Sequence, residues 1–361
     1  MKLNGLNAGA IFVVLVLMTL EGVTPAQYEL DHVVTAEGVD YGRVNWLHNR
    51  GNEDDVFTDV NCAVFSSINP WNVGLNPLSI TPYPGKELDI VLTNQGMNFV
   101  GTITYPRNLD KTCPAVLLLP GFMGERDGLP VSGTYVIPEG GRPQGMWERA
   151  ALKLAEAGYI SLRIDYRCSG KSEGYWQDVT LTGELSDVDV AIRYLADNPA
   201  VDKDRIAVVG YSLGGALAAC STRSPLVKVV ALWSAAPDPA TIETILSEEQ
   251  RAELEEKGII TMTLPWGEST TLKKAFFDSC KELDPVGDIA KFDGPLLVFC
   301  CLKDTMVAPQ PEMSMIFMDA HRGPENLVRL NADHSYNIFS GPNELDIAIF
   351  QTMEWLDRWL R

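Results

Sequence analysis

A serine set between glycines at a strand-to-helix junction, Gly210-Tyr211-Ser212-Leu213-Gly214, constrains this chain more than any other feature. Upstream, Arg205-Ile206-Ala207-Val208-Val209 is a short, mostly apolar run of the kind that forms a buried strand. Downstream, residues 213–219 are small and apolar, suited to a helix packed close against a sheet. A serine at so sharp a turn takes a strained backbone conformation, and side chains at the flanking positions would clash. Glycines there remove the clash and leave the hydroxyl exposed above the sheet. The five-residue pattern alone arises by chance roughly once in eight chains of this length. Its weight comes from the strand before it and the helix after it.

Strand and helix patterns alternate around this junction. Leu88–Leu92 and Asn98–Tyr105 read as strands joined by a turn at Asn94-Gln95-Gly96, followed by strands at 115–119 and 159–164. Helices are expected at 146–157, 185–196 and 213–222, with strands at 205–209 and 227–233 between and after them. From about 238 to 292 the alternation breaks. Thr241–Lys257 reads as one charged helix, Ile259–Leu264 as an extended run and Leu272–Cys280 as another helix, which together look like a helical lid inserted into the main fold. Strand 296–302, helix 310–320, strand 327–330 and a long amphipathic helix at 344–360 close the chain. Eight strands separated by helices imply a mostly parallel α/β sheet with helices on both faces. The expected division is residues 1–26 as a signal peptide, 27–86 as an irregular extension and 87–361 as one catalytic domain carrying the lid.

The N-terminus supports that division. Lys2 precedes an apolar run at 10–20, and Thr24-Pro25-Ala26 places small residues for cleavage after Ala26. The apolar run is short for a membrane span, so export to the periplasm or the exterior is expected, without stable membrane insertion once the signal is removed. An uncleaved signal anchor is the alternative. Cleavage would remove one lysine and one glutamate and leave the net charge at −19. Such a charge opposes nucleic acid as a partner, because phosphate binding needs a basic face. It also disfavours polyanionic substrates. The seven cysteines are too few and too scattered for a disulfide framework; most read as small core residues, with one bridge, involving Cys62 and Cys113, left open. No paired-cysteine or histidine-cluster spacing suggests a metal, and no cofactor is required.

A serine hydroxyl needs a base to become nucleophilic. Of four histidines, His32 and His48 fall in the irregular extension, and His321 reads as a helix-end residue. His334, in Asn331-Ala332-Asp333-His334-Ser335, follows the last strand at the rim that also carries Ser212. Its expected acid is Asp304, just after strand 296–302, with Asp238 as the competitor. Two backbone N–H groups should hold the developing oxyanion: that of Leu213, next to the nucleophile, and that of Phe122 in the loop Leu119-Pro120-Gly121-Phe122-Met123-Gly124.

On these residues the chain resembles serine α/β-hydrolases of the esterase and peptidase type, over residues 88 to 361. The order Ser212, Asp304, His334 is the one that fold uses. Asp165-Tyr166-Arg167-Cys168-Ser169-Gly170-Lys171-Ser172 is similar to a D-x-R-G-x-G-x-S loop common in these enzymes, with Cys168 where glycine is usual. There Asp165 and Arg167 read as residues that lock the loop. The inserted block resembles the lids of bacterial feruloyl and cinnamoyl esterases, although Pro120 stands where those relatives carry histidine. The resemblance implies a carboxylic ester hydrolase working through an acyl-enzyme on a small-molecule ester, with Tyr211, Trp233 and Trp266 as candidate substrate contacts. A peptidase of the prolyl-oligopeptidase type and an acyl-CoA thioesterase or acyltransferase are the enzymatic rivals. A hydrolase-fold binding protein is the rival of another class.

Overall fold

The computed structural model describes residues 28–30, 44–46 and 85–361, apart from 110, 135, 138–141 and 266. The signal-peptide reading, the cleavage point after Ala26, Cys62, His32 and His48 lie outside the described residues, as does the 27–86 extension except for two short paired strands, Tyr28–Leu30 and Val44–Trp46, and the first residues of the main sheet.

The main sheet has eight strands: β1 Gly85–Asn94, β2 Met97–Pro106, β3 Cys113–Leu119, β4 Ile160–Ile164, β5 Val201–Tyr211, β6 Val227–Trp233, β7 Leu296–Cys301 and β8 Glu325–Leu330. Their spatial order is β8-β7-β6-β5-β3-β4-β2-β1. All neighbours from β4 through β8 run parallel, and β2 is antiparallel to both β1 and β4. This is the mostly parallel sheet expected of an α/β-hydrolase. The β1–β2 turn falls at Gln95 and Gly96, both with positive φ (52° and 82°), the geometry that matches the twist of a tight hairpin.

Strand β3 is buried along its whole length, and its side chains alternate between two cores. Leu117 and Leu119 join the cluster beneath α2 (Leu181–Asp197) and α3 (Leu213–Ser221), whereas Val116 and Leu118 face α1 (Met146–Glu156) and the terminal helix α8 (Asn343–Leu360). Helices therefore cover both faces, which is why the central strands read as continuous apolar runs. A paired contact, Arg149 Nε and Nη2 to the two Asp346 carboxylate oxygens at 2.6 Å each, joins α1 to α8.

The block between β6 and β7 differs in detail from its sequence reading. Instead of one helix over 241–257 there is a 3₁₀ helix, Pro239–Ile245, and then α4, Glu248–Lys257. Ser247 breaks the run by capping α4: its Oγ accepts from Gln250 N–H, and the Gln250 side chain accepts from Ser247 N–H. The expected helix over 272–280 is also divided. Ile259–Thr263 and Ser269–Lys273 pair as a hairpin, and only Lys274–Cys280 is helical (α5), followed by the short α6, Pro285–Ile289. Thr270 and Thr271 are strand-favouring residues held by cross-strand pairing with Met262 and Thr261, a long-range partnership that overrides the local helical pattern. Helix α7, Glu312–Ala320, lies between β7 and β8.

Candidate active site

Parallel register brings the ends of five strands to one edge. Leu119 pairs with Gly210, Tyr211 with Trp233, Trp233 with Phe299 and Cys301 with Leu330. The loops leaving β3, β5, β7 and β8 therefore emerge side by side, although they are far apart in sequence.

Ser212 occupies the turn between β5 and α3 with φ 55° and ψ −120°. The surrounding backbone holds it there: its N–H donates to the Trp233 carbonyl at 2.9 Å, and its own carbonyl accepts from Ala236 N–H at 3.2 Å. The flanking glycines are sterically required. A Cβ on Gly210 would fall 2.1 Å from the Gly214 carbonyl oxygen, and one on Gly214 2.2 Å from that of Pro120. Gly215 belongs to the same device, since a Cβ there would sit 2.4 Å from the Ala235 methyl group.

The His334 imidazole joins two side chains. Its Nε2 is 3.0 Å from Ser212 Oγ and its Nδ1 is 2.7 Å from Asp304 Oδ2. Asp304 is fully buried at its side chain, and its other oxygen accepts from the Met306 and Val307 N–H groups at 2.8 and 2.9 Å. These bonds fix the carboxylate plane and leave one oxygen for the imidazole. The acid and histidine loops are tied to each other by Leu302 N–H to the Leu330 carbonyl and Lys303 N–H to that of Ala332. Asp333 shapes the histidine turn by accepting from the Ser335 and Asn337 N–H groups at 2.9 and 2.8 Å. The competing acid, Asp238, is exposed and instead caps the 3₁₀ helix through the Ala240 N–H. His321 is buried between Glu325 and the Gly294 carbonyl, at 3.1 and 2.9 Å, a structural position away from Ser212.

Leu213 is the first residue of α3, so its N–H has no acceptor within the helix. The Gly121–Gly124 turn lies against the serine: a Cβ on Gly121 would be 3.1 Å from Ser212 Cβ. Phe122 follows within this turn, and its ring meets Trp176 and Phe276 at centroid distances of 5.4 and 5.5 Å. Tyr166 donates to the Pro120 carbonyl at 3.2 Å and braces the turn from behind.

One of the three aromatic residues expected at the substrate, Trp233, is placed elsewhere. Trp233 is 1% exposed, stacks on Trp147 at 5.1 Å and donates to Thr352 Oγ1, so it is a core residue on the α8 side. Tyr211 is buried beside the site, with its ring 5.0 Å from that of His334 and its Cδ1 against the Gly121 turn. Trp266 lies outside the described residues.

The loop after β4 is locked as expected. Asp165 accepts from the backbone and guanidinium of Arg126 at 2.7 and 3.1 Å and from Lys171 N–H at 3.1 Å. Arg167 forms a paired contact with Asp187 and reaches Gln95. Cys168 has φ 66°, the left-handed backbone that glycine adopts freely, which explains why glycine is usual there. One turn before Asp187 on α2, Glu184 is also buried, and sequence patterning had not singled it out. Burial and then the Asp187 charge push its carboxyl up to about 8, with Arg167 opposing. Burial likewise raises the thiols of Cys113, Cys168, Cys220, Cys280, Cys300 and Cys301, with Cys301 pushed up to about 12. All six are free and buried, which keeps them in the unreactive thiol form at neutral pH.

The model of the prolyl oligopeptidase family matches residues 146–361, more than half of the chain and the stretch that holds Ser212, Asp304 and His334. The chain belongs to this family. Among known relatives, this prolyl oligopeptidase family member is 30% identical over 166 residues to the α/β-hydrolase domain-containing protein WAV2 of Arabidopsis thaliana, covering 45% of this chain and 49% of that one. It is 33% identical over 132 residues to thiohydrolase apmlB of Arthrinium phaeospermum, covering 36% and 38%. These matches span less than half of either relative. Among solved structures, Est1E of Butyrivibrio proteoclasticus with bound ferulic acid superposes with a TM-score of 0.60 at 18% identity, covering 75% of this family member and 98% of that chain. The family and fold place the protein among the serine α/β-hydrolases.

Proposed function

We propose that this hydrolase cleaves carboxylic esters through Ser212, His334 and Asp304. The observation that carries the reading is the imidazole bridging the serine hydroxyl and a buried carboxylate at 3.0 and 2.7 Å. His334 Nε2 takes the Ser212 proton as Oγ attacks the ester carbonyl carbon. The Phe122 and Leu213 N–H groups stabilise the oxyanion, and Asp304 holds the tautomer and then the imidazolium. The imidazolium protonates the departing alcohol, leaving an acyl-enzyme. Water then gives one proton to His334 while its oxygen attacks the acyl carbon, and collapse of that adduct frees the acid and restores Ser212. No metal or organic cofactor takes part. The acyl group is small or aromatic, of the feruloyl or cinnamoyl kind. The partly buried Phe122 ring in the turn supports this choice.

The family match favours a second reading, a serine peptidase using the same three residues on an amide. One substrate panel separates the two: methyl ferulate, p-nitrophenyl esters of rising chain length and an aminoacyl-proline amide. The ester reading expects turnover of esters with little of the amide, and the peptidase reading the reverse. Ser212→Ala should lower ester turnover on the order of 10⁶-fold and abolish labelling by a fluorophosphonate probe. Retention of most of that turnover would remove Ser212 from the mechanism.

A further inference from the structure

Three fully buried polar side chains, Ser234, Cys301 and Tyr336, form a group of their own at this edge of the sheet, and each is tied to one member of the triad. Ser234 follows β6. It lies between Trp233, whose carbonyl accepts the Ser212 N–H at 2.9 Å, and Ala236, whose N–H donates to the Ser212 carbonyl at 3.2 Å. Cys301 ends β7, and its carbonyl accepts the Asp304 N–H at 3.0 Å. Tyr336 stands two residues after His334. Ser234 Oγ donates to the Tyr336 hydroxyl at 3.5 Å, and the Cys301 thiol hydrogen-bonds with both. Burial holds the Tyr336 phenol well above its ordinary value, so the hydroxyl keeps its proton. The ring of Tyr336 lies 5.4 Å from that of Trp233 and 6.4 Å from those of Tyr211 and Phe299.

The backbone at these positions is strained. Ser234, Tyr336 and Asn337 have φ of 45°, 59° and 53°. A left-handed conformation is uncommon for any residue with a side chain and rarer for one as bulky as tyrosine. It persists only where surrounding contacts hold it. Part of the hold is internal to the histidine loop: Asp333 Oδ1 accepts from Asn337 N–H at 2.8 Å, Asn337 Oδ1 from Asp333 N–H at 3.0 Å, and the Asp333 carbonyl from Tyr336 N–H at 3.1 Å. Those bonds shape the loop. The Tyr336 side chain seats it, because its ring packs on the residue before the nucleophile and on the residue that accepts the nucleophile's N–H.

We infer that Tyr336 is a positioning residue for the general base: its ring, and its hydroxyl held by Ser234 and Cys301, fix where His334 stands relative to Ser212 and Asp304. The inference deepens the ester-hydrolase reading and rests on those three residues acting together. Tyr336 touches no reacting atom. It acts through the imidazole, whose proton transfer depends on the distance to Ser212 Oγ.

Tyr336→Phe keeps the ring and removes one oxygen. In the full chain it should lower kcat for p-nitrophenyl acetate about tenfold and slow fluorophosphonate labelling of Ser212 by a similar factor, with KM changed less than twofold. Ser234→Ala should give a loss of similar size. The Tyr336→Phe, Ser234→Ala double variant should lose little more than the worse single variant, because both changes remove one interaction. Cys301→Ser keeps a donor in place and should stay within twofold of the parent rate, whereas Cys301→Ala should not. A merely structural role predicts lower urea midpoints with unchanged kcat and labelling rate per folded molecule, and that result would overturn the proposal. Losses that multiply in the double variant would overturn it too. If Tyr336→Phe does not fold, the Cys301 pair decides, and equal rates for the serine and alanine variants count against the proposal. Failure of the ester reading looks different: ester turnover survives Ser212→Ala, whatever the Tyr336 variants do.

Discussion

Ser212 sits at a backbone angle that costs of order 1–3 kcal/mol for a residue with a side chain, and the cost is tolerated because the turn is fixed by its neighbours. Gly214 is one of these. Its α-carbon faces the Leu119 and Pro120 carbonyls, both backbone atoms that cannot swing away. Gly214→Ala should therefore lower stability by about 2 kcal/mol or more and displace the turn carrying Phe122, with kcat falling further than stability predicts. Urea melts and initial rates on one ester measure both; a variant with normal stability and rate would show that the turn yields without cost. Asp304→Asn retains the shape of the acid but presents the wrong hydrogen-bonding character to Nδ1. Its turnover should drop about 10⁴-fold with the fold intact by circular dichroism. These residues were legible in the sequence because each follows an apolar strand and the strand order is regular. Trp233 was misread for the same reason. Its position at a strand end suggested the rim, but only the three-dimensional register tells a side chain facing α8 from one lining a pocket.

At the scale of elements, the legible parts were those whose identity is set locally. Strands β3 and β7, buried along their length, and α8, with its regular apolar stripe, announce themselves by period. The insertion between β6 and β7 does not. Its hairpin depends on pairing between residues about ten apart, and its helix break depends on the Ser247 cap, so a charged helical pattern was extended too far. Glu184 was hidden in a similar way, as an ordinary polar position on α2 until the fold buries it. The consequence is a pH dependence. Its ordinary carboxyl value of 4.5 applies to the unfolded chain, and the folded value is about 8. Between those limits the unfolded chain releases the proton and the folded chain keeps it. Stability contributed by this group therefore falls as pH rises from 4.5 to 8 and is level above. Tyr166, Arg167, Cys168, Asp187 and Cys280 are the charged and titratable neighbours. Glu184→Gln should remove the slope, so the variant gains on the parent across that window, by up to about 5 kcal/mol. Urea midpoints of both proteins at pH 5 and pH 8.5 measure it; parallel changes in the two would show that Glu184 ionises normally.

At the scale of the whole molecule, the net charge of −19 bears on which esters reach Ser212. A field of one sign repels substrates of the same sign and lowers their encounter rate, and added salt screens it. This separates a thioesterase acting on coenzyme A esters from an enzyme of neutral esters, although the serine chemistry would be the same. An acyl-CoA carries several phosphate charges, while the matching acyl N-acetylcysteamine thioester carries none and presents the same scissile bond. At low ionic strength kcat/KM for the neutral thioester should exceed that for acyl-CoA by about tenfold or more. The ratio should narrow as sodium chloride is raised to about 0.15 M, where the screening length falls to about 8 Å. The narrowing should come from kcat/KM of the charged substrate, since the neutral one has no field to lose. If acyl-CoA is instead the better substrate at low salt, a local cationic site must outweigh the overall charge, and the neutral-ester reading would give way to a thioesterase.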